Sequence, residues 1–247
     1  MKRNWNAFWM CQSMFCAIPC PVHTWDEEAR PRMLLFLPLV GLEMGALWAG
    51  LGWLCGLLAL PPLVRGIVLS TFPYLVSGWI HLDGFMDVCD AVGSCRSLER
   101  RREILKDSHV GSFAVFGVVR VMMTQFALCA SGEGDYRMLL FIPVVSRCCS
   151  ALAVTVLRPM STSQYAGAFR EGIPKGQIGV LAVVMAVAVT AAVLLCGRSA
   201  IALVGGLAGY GWALRKGFRS LDGMNGDISG FALTVSELGA LAVWALV

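Results

Sequence analysis

The sequence predicts an all-α fold: a polytopic bundle of about seven transmembrane helices, forming a single integral membrane domain over residues 1–247. Three observations lead there. Hydrophobic residues make up 57% of the chain and charged residues only 15%, against roughly 25% charged in soluble domains. Mean hydropathy is +0.69. The apolar residues also come in continuous runs rather than in alternation, which argues against a β-barrel.

Each element follows in order. Residues 5–20 are mixed apolar, stop at Pro19 and Pro21, and precede Asp26-Glu27-Glu28. That pattern reads as an interfacial helix, not as a cleavable signal. Seven later stretches come close to the 20 or so apolar residues that a crossing needs: 33–59, 62–81, 111–131, 138–157, 178–197, 199–214 and 230–247. Pro61-Pro62 marks a tight turn between the first two. The sixth is short and carries Gly205, Gly206, Gly209 and Gly211. It is expected to pack closely on a neighbour or to be a broken helix. The ten cysteines are scattered without CxxC spacing, so they read as small apolar residues within helices.

The basic residues orient the bundle. With the N-terminal segment inside, fifteen Lys and Arg fall on the inner side, in 2–32, 96–106, 158–175 (Arg170 included) and 215–219, whereas the outer side holds only Arg137 and Arg198. Such a bias marks the cytoplasmic face of a multi-pass membrane protein, and a prokaryotic cell membrane is the expected setting. Segments 1–32, 82–110, 158–177 and 215–229 are then expected as the cytoplasmic N-terminal segment and loops. The site should lie there.

The most informative segment is His81-Leu82-Asp83-Gly84-Phe85-Met86-Asp87-Val88-Cys89-Asp90. On a helix, Asp83, Asp87 and Asp90 share one face at i, i+4 and i+7. Three like charges on a stripe repel, and oxygen ligands suit Mg²⁺ or Mn²⁺. The bland alternative is a solvated helix start with acids in its first turn. Next comes a basic stretch from Glu99 to Ser112 that contains Arg102, Lys106, Asp107, Ser108 and Gly111. Its cations suit phosphate oxygens, and its glycine and serines suit an anion at a helix start. Arg100 and Arg101 could equally anchor the face to anionic lipid.

Arg120 and Arg147 fall at mid-depth in two spans. Such charges are costly there, so they reach a substrate phosphate in a polar cavity or pair with a buried acid such as Glu237. Finally Asp222-Gly223-Met224-Asn225-Gly226-Asp227 reads as a phosphate or metal loop on the same face, or as plain turn signals. Acids for a divalent cation beside bases for phosphate point to phosphoryl transfer, in which one aspartate could accept the proton of an attacking hydroxyl.

At this point the chain resembles a known family. The segments HLDGFMDVCDAVGS (81–94), RREILKDSHVGSFAVFG (101–117) and NGDISGFALTVSE (225–237), together with Pro-Cys-Pro-Val at 19–22 and Phe-Leu-Pro-Leu-Val-Gly-Leu at 36–42, look like the cobalamin synthases, or adenosylcobinamide-GDP ribazoletransferases. The chain departs from the family pattern at His109, Ala114 and Asn225. The resemblance implies an enzyme that joins α-ribazole, or its 5′-phosphate, to adenosylcobinamide-GDP with Mg²⁺, releasing GMP at the last step of nucleotide-loop assembly. It implies Asp83, Asp87, Asp90 and Asp227 as metal ligands, with Asp90 foremost as base and Asp87 and Lys106 as further catalytic groups. Substrate contacts would come from His81, Arg102, Lys106, Asp107, Ser108, Gly111, Arg120, Arg147, Asp222, Asn225 and Glu237. The expected partners are these substrates and the lipid bilayer, not nucleic acid. A homo-oligomer, or association with other enzymes of cobalamin assembly, is a further expectation.

Two rivals belong to other classes. A CDP-alcohol phosphotransferase also uses spaced aspartates, but expects Asp-Gly-x-x-Ala-Arg and later acids that this chain lacks. A transporter would line a pathway with Arg120, Arg147 and Glu237, yet no internal repeat is visible.

Overall fold

The computed structural model describes residues 2–23, 25–161 and 172–247. Arg170, counted above on the inner side, lies outside the described residues, as does most of the segment 158–177. The helices are α1 (Lys2–Phe15), α2 (Met33–Leu57), α3 (Pro62–Val76), α4 (Ile80–Gly93), α5 (Leu98–Ile104), α6 (Ser112–Ser131), α7 (Met138–Val156), α8 (Gln177–Cys196), α9 (Ala202–Leu221) and α10 (Gly226–Trp244). No strand occurs among the described residues; a lone parallel bridge joins Pro159 and Met224. The all-α membrane fold is therefore as the composition implied.

Five helical stretches are long and apolar enough to cross a membrane, or six if the bent pair α3 and α4 forms one crossing. One of the five runs from Gln177 to Leu221, 45 residues. At 1.5 Å per residue that is about twice what a bilayer core of about 30 Å accepts. Gly197, with φ of 56°, breaks it into α8 and α9. Dividing it there gives six crossings, or seven if α3 and α4 together form one.

Three sequence expectations change. The stretch 62–81 is not one straight helix. It ends at Val76, Gly78 and Trp79 take left-handed φ of 63° and 67°, and α4 leaves at 91° to α3. The cause is amphipathicity: Leu82, Phe85, Val88 and Ala91 form a buried stripe that lays α4 against the bundle. The segments 82–110 and 215–229 are consequently mostly helix rather than loop, because α4, α5 and the end of α9 fill them. Third, Glu43 is an in-span acid that the sequence reading passed over; Gln12 of α1 donates to it at 2.6 Å. Helix α1 itself packs on the bundle through Ala7, Met10 and Cys11.

Glycines set two close helix pairs. A Cβ on Gly205 would collide with the Gly239 carbonyl, so α9 and α10 meet backbone to backbone. The glycine-rich sixth span thus packs closely. A Cβ on Gly84 would lie 2.8 Å from Asp227 Cα, and one on Gly230 would lie 2.8 Å from the His81 carbonyl oxygen. These two glycines press α4 onto the start of α10. All ten cysteines are free, and seven of them are buried.

Candidate functional site

The α4–α10 contact brings together acids from two distant parts of the chain. Asp83 and Asp87 lie one turn apart on α4 and flank Gly84, on which the Asp227 backbone rests. Asp87 is half-buried and feels the charges of Asp227, Asp83 and Asp90. None of Asp83, Asp87 and Asp227 has an ion-pair partner among the described residues. Asn225 holds the start of α10: its side-chain oxygen accepts from the Ile228 amide at 2.9 Å, as an N-cap does. Its amide nitrogen donates to Asp227 at 2.6 Å and fixes that carboxylate.

Behind these acids lies a cavity of about 180 Å³. Exposed Asp83 and Gly226 stand at its edge, and Phe15, Leu37, Val154 and His81 line its interior. His81 is buried and stacks on Phe15, with ring centroids 5.9 Å apart. Two serines that sequence reasoning missed, Ser150 and Ser229, also line the cavity and share a hydrogen bond of 2.5 Å. The spacing Asn225-x-x-x-Ser229 places both on one face of α10 and could have revealed Ser229. Asp83 also borders a wider hollow of about 540 Å³ between the end of α1 and the α3–α4 break.

The third member of the stripe does something else. Asp90 accepts hydrogen bonds from the Gly111 amide at 2.6 Å and the Ala114 amide at 2.8 Å. It caps α6 from across the gap. The helix start expected to attract a phosphate is thus already occupied by an internal carboxylate, and Gly111 is spent on Asp90. Among the described residues no three His, Cys, Asp or Glu side chains converge into a metal-ligand cluster. The stripe alone is therefore not a ready-made metal triad, because its last carboxylate turns to α6.

The intramembrane arginines also part company. Arg147 is buried on α7 and donates to Glu237 at 2.6 Å, while Ser146 donates to the same oxygen at 3.0 Å. Of the two alternatives for Arg147 and Glu237, the structure shows the structural ion pair. Arg120 is exposed on α6 and meets neither Arg147 nor the acids. It lines a separate groove with Val88 and Cys89, on the side of α4 roughly opposite the aspartate stripe.

Arg102 and Asp222, both expected to touch substrate, hold each other in this structure. Arg102 donates to the Leu221 and Asp222 carbonyls at 3.1 and 3.0 Å and to the Asp222 carboxylate at 3.3 Å. Arg158 forms a second ion pair with Asp222. The Arg158 hydrogen bond, with Arg102 adding to it, keeps the Asp222 carboxyl below its usual range. This lattice clamps the α9–α10 turn. Lys106, Asp107 and Ser108 lie exposed in the turn between α5 and α6. Asp107 accepts from the His109 amide at 3.0 Å and contacts its ring nitrogen at 2.7 Å, and these bonds lower its carboxyl in the same way. Lys106 has no ion-pair partner among the described residues.

Comparison with known proteins gives a consistent result. A family model described as cobalamin-5-phosphate synthase matches residues 7–245. A protein of Clostridium perfringens (strain 13 / Type A) named adenosylcobinamide-GDP ribazoletransferase is 34% identical over 252 residues, covering 100% of both chains. A protein of the same name from Clostridium botulinum (strain Alaska E43 / Type E3) is 32% identical, over 98% of this chain and 97% of its own. One from Geotalea daltonii reaches 41% identity across 49% of each chain. No solved structure matches.

Proposed function

The chain belongs to the cobalamin-5-phosphate synthase family, and from that premise we propose that it transfers α-ribazole, or its 5′-phosphate, onto adenosylcobinamide-GDP with release of GMP. The observation that carries this reading is the end-to-end match to relatives named for that reaction. The site adds a chemical rationale. Breaking a diphosphate calls for charge neutralisation around its oxygens and for a group that takes the proton of the attacking hydroxyl.

The donors fit Mg²⁺ in kind: Asp83, Asp87 and Asp227 offer only oxygen atoms and lack cationic partners among the described residues. As they stand these three do not converge into a ligand cluster, so they would have to draw together to hold the ion, which would supply positive charge to the diphosphate when bound. Asp90 leaves this set for its capping role. Asp87 takes over the proton at its carboxylate, since no hydrogen bond engages it among the described residues and it sits at the centre of the acids. Asn225 orients Asp227. Lys106 and Ser108, exposed in the segment that leads to the Asp90-capped helix start, would meet phosphate oxygens. The cavity behind Asp83 and His81 would take an apolar ring: an engineered apolar cavity of about 150 Å³ holds benzene, and this one is about 180 Å³. We place this site at the cytoplasmic face of the cell membrane.

The transporter reading loses its residues, because Arg147 and Glu237 neutralise each other in the core. The test is direct. Membranes that contain the protein are mixed with adenosylcobinamide-GDP, α-ribazole and Mg²⁺, and GMP and cobalamin are followed by chromatography with and without EDTA. Both products are expected only with free Mg²⁺. Their absence from folded, inserted protein would overturn the proposal.

A further inference from the structure

A groove of about 550 Å³ runs between α4, α6 and the ends of α9 and α10, outside the acidic site. Its walls are apolar: Val88, Phe113, Phe116 and Phe231. Two of these, Phe113 and Phe116, are 50% and 74% exposed on an apolar crossing helix, so they face the hydrocarbon. Two cations line the same groove, Arg120 and Lys216. Both are exposed, and neither has an ion-pair partner among the described residues. Lys216 stands over the Trp212 ring at 5.0 Å, which steadies its ammonium without neutralising it.

The depth is informative. Arg120 lies eight residues past the start of α6, and Lys216 five before the end of α9. At 1.5 Å per residue these are about 12 Å and 8 Å from those helix ends. The two ends lie on one face of the bundle, since Arg102 of α5 grips the end of α9 and Asp90 of α4 caps the start of α6. Unpaired cations at this depth are costly unless an anion meets them. Among the described residues no carboxylate lines the groove, and an apolar groove open to hydrocarbon admits an amphiphile more readily than a hydrated ion. We propose that this groove binds an anionic phospholipid, with its phosphate drawn in between Arg120 and Lys216, past Phe113 and Phe116 at the mouth of the groove, and its chains running on toward the membrane centre. Basic pockets between crossing helices take lipid head groups by this chemistry.

The whole protein is purified and placed in nanodiscs of phosphatidylcholine with or without phosphatidylglycerol, and retained lipid is read by native mass spectrometry. Two basic residues at about 1 kcal/mol each predict a preference of roughly thirtyfold for phosphatidylglycerol. Arg120→Gln and Lys216→Gln should each cut it about fivefold, and the double substitution should remove it. Arg120→Lys should keep most of it, and Arg198→Gln, at the other end of α9, should leave it unchanged. Melting in phosphatidylcholine alone confirms that each variant is folded. An unchanged preference in the double variant, or an equal loss in Arg198→Gln, overturns the proposal. So does displacement of the lipid by inorganic phosphate or GMP, which would make the occupant a soluble phosphate. The outcome is independent of turnover, so it stands or falls apart from the proposed reaction.

Discussion

Asp87 sits half-buried among like charges with no hydrogen bond among the described residues to hold it. Its carboxylate is therefore available to an ion or to a proton. Asp87→Asn keeps the shape and removes both uses. Turnover should fall by about 10²–10⁴-fold, while melting in detergent stays level or rises, since one repelling charge is gone. Activity near the parent level would rule out the role assigned to Asp87. Arg147 and Glu237 should behave in the opposite way. Breaking a buried ion pair leaves one bare charge, at a cost of about 3–5 kcal/mol. Arg147→Met alone should lower the melting temperature sharply, and Arg147→Met with Glu237→Leu should recover most of the loss. If the single substitution left stability intact and removed turnover, Arg147 would be a substrate group after all.

At the scale of the element, α4 shows what could be read in advance and what could not. The offsets of Asp83, Asp87 and Asp90 establish a common face from local geometry alone. That Asp90 leans to α6 is a tertiary fact, and nothing in the spacing says which neighbour supplies free amides. The break before α4 was equally hidden, because Trp79 is no turn residue, yet it takes a φ of 67°. The buried stripe of α4 forces that turn. The carboxylate of Asp227 was legible only as part of a turn-rich loop; its partnership with α4 depends on Gly84 and Gly230, which read as ordinary helix glycines. Two predictions follow at this scale. Gly84→Ala should raise helix propensity by about 1 kcal/mol, yet its Cβ would lie 2.8 Å from Asp227 Cα. It should push α4 off α10 and cut turnover at least tenfold in protein that still melts cooperatively; full activity would mean that the α4–α10 approach does not build the site. Asp90→Asn separates a cap from a base. As a cap, Asn keeps one of the two acceptors, so stability falls slightly and turnover little, whereas a base loses turnover as steeply as Asp87→Asn does.

For the whole molecule, the acids, the Arg102–Asp222 clamp and the capped start of α6 all gather at one end of the bundle. The asymmetry of lysines and arginines predicts that this end faces the cytoplasm, and the protein carries its own reporter of that prediction. Cys95, just past α4 at the same end, is the one exposed cysteine of ten; seven are buried, and Cys89 and Cys149 are only partly accessible. A membrane-impermeant maleimide should therefore label Cys95 in inverted vesicles and leave it unlabelled in right-side-out spheroplasts. Cys95→Ser should abolish the signal in the inverted vesicles. Labelling from the outside would turn the bundle over and put the acidic site on the outer face. A substrate that carries a guanine nucleotide would then have to be supplied from outside the cell, and the proposed reaction would lose its setting even with its residues intact. Labelling from the inside would place Asp83 and Asp87 in the compartment that holds nucleotides and Mg²⁺. The charge bias, read from sequence, and the gathering of the acids, read from structure, would then agree on one face by independent routes.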